Sequence, residues 1–102
     1  MVNEQTKNLA EEIMACYEEA YNYYSPIVDI IINNKIENIK LIENTLNHII
    51  YIYTEKGFDL FMKLLLYYGS FNVEATYKYV DKAKIQRYSD YNAYIKKLEK
   101  IK

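Results

Sequence analysis

The side chains best equipped for chemistry in this chain are one histidine, one cysteine and a group of glutamates. A lone histidine such as His48 could act as a general base or a metal ligand. No Cys, His or carboxylate stands three or four residues from it, so a helical ligand set is missing. His48 therefore reads as a solvated surface residue. Cys16 has no basic neighbour within one helical turn to lower its pKa, and it reads as a small buried apolar residue. Glu11, Glu12, Glu18 and Glu19 could gather a metal, but the Glu-x-x-His partner of carboxylate bundles is absent. They read as a solvated acidic face. Ser25, Ser70 and Ser89 suit caps or turns, and none sits in a Gly-x-Ser-x-Gly setting. Neither glycine belongs to a phosphate-cradling loop. The expectation is a non-enzymatic chain with no cofactor and no metal.

The elements that would position these residues read as helices. With two Gly and one Pro, 102 residues have too few breakers for a sandwich or barrel. The expected fold is all-α: a single domain over 1–102, built as a compact bundle of about four to six helices with a long amphipathic C-terminal helix or helix pair. Helix one is expected over about 6–24, with Leu9, Ile13, Cys16, Tyr17, Ala20, Tyr21 and Tyr24 on one face. Ser25-Pro26 should end it, because the residue before a proline disfavours the helical region. Residues 27–42 are open between a short buried helix and a hairpin turning at Asn33-Asn34. A further helix is expected over about 35–55, striped by Ile36, Ile39, Ile42, Leu46, Ile49, Ile50 and Tyr53, with Gly57 just beyond its end. Phe58 to Tyr68 is apolar nearly all round and belongs at the bundle centre, closed by Gly69. The core would then be the stripes of the first and third helices around it.

Asn72 should cap the last segment. From there Val73, Tyr77, Val80, Lys84, Arg87, Tyr91, Tyr94, Leu98 and Ile101 follow a strict four-three alternation, a heptad seam with two bases at its middle. Charge is divided along the chain. Residues 1–50 carry eight acids and three bases, and 51–102 carry six acids and ten bases. Two surfaces that attract each other, within the fold or between copies, would follow from that division. Thirteen tyrosines also stand out, since tyrosine gives large contact area at protein interfaces for few lost rotamers. The leading expectation is a protein–protein interaction module, an inhibitor or adaptor, acting as a homodimer. Its candidate contacts are Tyr77, Lys84, Arg87, Tyr91, Tyr94 and Leu98. The start of the chain lacks the apolar core of a signal peptide, no run is long enough to cross a membrane, and one cysteine fits a reducing compartment. A cytoplasmic protein with no membrane partner is expected.

Gly69-Ser70-Phe71-Asn72-Val73-Glu74-Ala75, followed by Val80-Asp81 and Ile85, resembles the helix-turn-helix of bacterial LysR-type regulators over about twenty residues. The resemblance implies a turn near Val80-Asp81 and nucleic-acid contacts from Lys82, Lys84 and Arg87. The pattern departs at Lys78, where a buried leucine belongs, and at the turn, which has no glycine. A DNA-binding regulator using residues 69–88 is the alternative expectation, with nucleic acid the less favoured partner.

Overall fold

The computed structural model describes residues 4–85, with side chains from Asn8 onward. Among these residues there is no strand. Four helices follow one another: α1 (Glu4–Asn33), α2 (Ile39–Ile49), α3 (Glu55–Gly69) and α4 (73–85). The chain is all-α, as its breakers imply. Of the long C-terminal helix expected over 73–101, only 73–85 falls within the described residues. Contacts divide the chain into two units, 1–64 and 65–102, and the division falls inside α3.

In the first unit α1 packs against α2. α1 is 30 residues long and contains Pro26, so Ser25-Pro26 does not end it, and no separate helix or hairpin follows. A proline inside a helix removes one N–H bond and costs about 3 kcal/mol. Val28 and Ile31, just beyond it, are buried. Burial of such side chains is worth roughly 1.5–3 kcal/mol each, which outweighs that cost. The helix stops instead at a Schellman motif. Lys35 takes φ 50°, its N–H donates to Ile32 O at 3.1 Å, and Ile36 N–H donates to Ile31 O at 2.9 Å.

This left-handed residue delays α2. The next helix begins at Ile39, not at Lys35, with Asn38 Oδ1 accepting the Leu41 N–H at 3.1 Å as N-cap. α2 buries Ile42, Thr45, Leu46 and Ile49. Thr45 satisfies its hydroxyl by donating to Leu41 O at 2.8 Å. α2 ends at Ile49, six residues short of the expected span, because Thr54 caps a new helix by accepting the Gly57 N–H at 3.0 Å. Gly57 therefore lies in the first turn of α3 and not past the end of α2. A Cβ there would meet Ile52 O and stand 2.6 Å from Ile52 Cγ2, so close chain approach requires the glycine.

α3 contributes buried Leu60, Phe61 and Leu64 to the first unit. Lys63 Nζ donates to Asp29 Oδ1 at 2.7 Å, and Lys56 Nζ lies 3.5 Å from Glu18 Oε1, so two exposed ion pairs set α3 against α1. Phe58 and Leu66 are exposed, so α3 is not buried all round as its composition suggests.

The second unit buries Leu65, Tyr68, Tyr79 and Ala83. Asn72 caps α4 as expected, its Oδ1 accepting the Ala75 N–H at 3.2 Å. The same side chain donates from Nδ2 to the buried Tyr68 hydroxyl at 3.2 Å. Tyr68 meets Phe71 and Tyr79 edge-on, with centroids 5.5 and 6.5 Å apart. Gly69 ends α3 where a Cβ would stand 2.9 Å from Thr76 Oγ1.

Candidate functional site

α4 buries one face, with Tyr79 and Ala83 at its centre. At 100° per residue, Val73, Tyr77, Val80 and Lys84 lie about 100–160° round the wheel from Tyr79. The described part of the heptad seam therefore does not belong to the face that α4 buries. Val73 is 59% and Tyr77 68% exposed, Lys84 is exposed and Val80 is half-buried. Lys82 stands apart from this row, half-buried with its Nζ 5.9 Å from the Tyr79 ring centre. Arg87, Tyr91, Tyr94 and Leu98 lie outside the described residues. Of the expected contact residues, Tyr77 and Lys84 are thus brought to one outward face.

The helix is unbroken through Val80 and Asp81. The turn that the helix-turn-helix resemblance requires at those residues is not formed.

A second exposed apolar row was missed by the sequence reading. On α1, Leu9 is 56% and Ile13 45% exposed, and Cys16 on the same face is exposed with them; Met14, also exposed, lies on another face. These residues, Met14 apart, were expected in the core, and Cys16 was expected to be buried. Burial instead rises along the same stripe: Tyr17, Ala20, Tyr21 and Tyr24 are half-buried, and Val28 and Ile31 are buried. The signal was available in one respect, since a stripe unbroken by Pro26 is longer than the α2 stripe that could cover it. Glu12 and Glu19 fall along one edge of the exposed row, both exposed.

His48 remains exposed but is not merely solvated. Its ring stacks on Tyr24 with centroids 5.6 Å apart and planes 26° apart. Its Nδ1 donates to Asn44 O at 2.7 Å, which fixes the protonated nitrogen. Tyr17 meets Tyr53 edge-on at 6.1 Å, and Tyr53 meets Tyr51 at 6.3 Å, so many tyrosines of the first unit serve aromatic packing at its surface. Among the described residues no three His, Cys, Asp or Glu side chains gather closely enough to hold a metal ion, and no helix is long and apolar enough to cross a membrane. Set against protein-family models, curated proteins and solved structures, the chain matches none of them.

Proposed function

We propose that this chain is a helical module that works by binding protein, and that its own copy is one partner. The observation that carries this reading is the outward seam of α4, with Val73 and Tyr77 exposed on the side away from Tyr79 and Ala83. An apolar row at four-three spacing that a helix does not bury in its own unit is suited to a second helix. The exposed tyrosines supply rigid contact area of the kind that interfaces favour. The helix runs continuously through Asp81, which favours this reading over a DNA-binding one. An adaptor or inhibitor acting in the cytoplasm belongs to this reading as its cellular extension.

The test is association measured by sedimentation on the native chain and on a Val73→Asp/Tyr77→Asp double variant. Both positions are exposed, so the variant should keep its helical circular dichroism. The native chain should self-associate and the variant should not. A native chain that stays monomeric at about 100 μM, a concentration at which even weak specific contacts of roughly −6 kcal/mol are populated, would refute the homodimer. If in addition no protein is captured by it and released by the double variant, the whole reading fails.

A further inference from the structure

Resting on the protein-binding reading, we infer that α1 carries a second docking face, which takes one cationic amphipathic helix of a different protein. Positions 9, 13, 16, 20, 23, 27 and 30 alternate four and three apart and hold only apolar side chains. That is the seam of a coiled coil sustained over three heptads, about 32 Å of helix. The first unit does not bury it. Leu9, Ile13 and Cys16 are exposed, Tyr23 is 65% and Ile30 55% exposed, and Ala20 and Ile27 are half-buried. The row that the unit packs inward is another one, Tyr17, Tyr21, Tyr24, Val28 and Ile31, about 90° round the helix. A helix with two apolar rows spends one on its own fold and offers the other to a second helix.

Charge selects the occupant. From Asn8 to Asn33, α1 has five acids and no Lys or Arg. Glu18 and Asp29 meet Lys56 and Lys63 of α3 at 3.5 and 2.7 Å, on the side of the helix away from this seam. Glu12 and Glu19 instead border the seam, each one residue before a seam position, where flanking charges set the choice of partner. Pro26 takes the same place in the third heptad, so the acidic edge belongs to the first two. A second copy of α1 fits poorly here. In an antiparallel pair centred on the seam, Glu19 stands beside its own symmetry mate; in a parallel pair, two helices without a base lie side by side. A helix with Lys or Arg flanking its own apolar seam meets Glu12 and Glu19 with opposite charge and covers Leu9, Ile13, Tyr23 and Ile30.

The test uses the full chain and a labelled helical peptide of three heptads, with leucine along its seam and lysine at both flanks. A twin peptide carries glutamate at the flanks, and binding is read by fluorescence anisotropy. The native chain should bind the lysine peptide about tenfold or more tightly than the twin. Glu12→Lys/Glu19→Lys should invert that preference. Glu11→Lys/Glu37→Lys makes the same change of net charge at exposed positions off the seam and should keep it. Ile13→Asp/Tyr23→Asp, at two exposed positions, should keep the helical circular dichroism and lose both peptides. Val73→Asp/Tyr77→Asp should bind as the native chain does. Equal affinity for the two peptides, or a loss that is the same for both pairs of glutamates, would overturn the inference. So would self-association that Ile13→Asp/Tyr23→Asp abolishes, because the row would then hold a second copy. Either failure leaves the protein-binding reading standing if the native chain dimerises through Val73 and Tyr77. A monomeric chain that still selects the lysine peptide through Glu12 and Glu19 removes the homodimer and upholds this inference.

Discussion

Lys35 is the one non-glycine residue at positive φ among those described, at 50°. An L-residue with a Cβ pays roughly 1–2 kcal/mol to sit there. Lys35→Gly should therefore stabilise the fold, by about 0.5–1 kcal/mol after the greater flexibility of unfolded glycine is counted. Lys35→Val should cost more than that, and urea midpoints of the two variants will order them. Gly57 behaves in the opposite sense. Its backbone is unstrained, but Ile52 fills the space where a Cβ would go, so Gly57→Ala should cost about 1–3 kcal/mol through overpacking. A thermal midpoint unchanged by that substitution would show that the 50–54 connection can shift freely. At Tyr24, burial and then the neighbouring Tyr23 hold the phenol above its ordinary 10.0. The folded chain thus keeps this proton to higher pH than the unfolded chain. The associated stability is fully present below about pH 10 and is lost as pH rises through the folded value. Tyr24→Phe should flatten the alkaline loss when urea midpoints at about pH 9 and pH 11 are compared, since phenylalanine has no such proton.

At the level of elements, Pro26 is the clearest conflict between local preference and fold. It sits inside α1, and Asn22 O loses the N–H that any other residue would supply. Pro26→Ala should stabilise the chain by about 1–3 kcal/mol and sharpen the helical signal; a loss of stability would mean that the proline sets a bend that α2 packing needs. The same residue shows where the sequence is hard to read. Its local rule favours a stop, and only the burial of Val28 and Ile31 against other elements reverses that. Cap chemistry was legible where one side chain decides it, as at Asn72, and illegible where two candidates compete. Gly57 looked like a helix end because a glycine after an apolar stripe usually is one; Thr54 three residues earlier makes it a helix beginning. The exposed seam of α4 was legible as a pattern but not as a surface. Spacing places residues on one face and does not say which of two apolar faces the unit will bury, and here Tyr79 and Ala83 took that place.

Across the whole molecule, the two units draw on one helix. Phe61 and Leu65 are four residues apart on α3, both buried, and fall on opposite sides of the division at 64 and 65. Phe61→Ala and Leu65→Ala should each cost roughly 2–5 kcal/mol as large-to-small core changes. A cost under about 1 kcal/mol at either, from urea unfolding, would remove that side chain from the core. The gradient of burial along α1 has a kinetic consequence. Amide hydrogens exchange with solvent through local opening, and the free energy of opening follows the packing that must be broken. Near Val28 and Ile31, opening α1 means disrupting buried packing; near Leu9 and Ile13 it means only fraying a helix end. A single continuous helix will therefore show two exchange regimes, fast over its first three turns and slow over its last two.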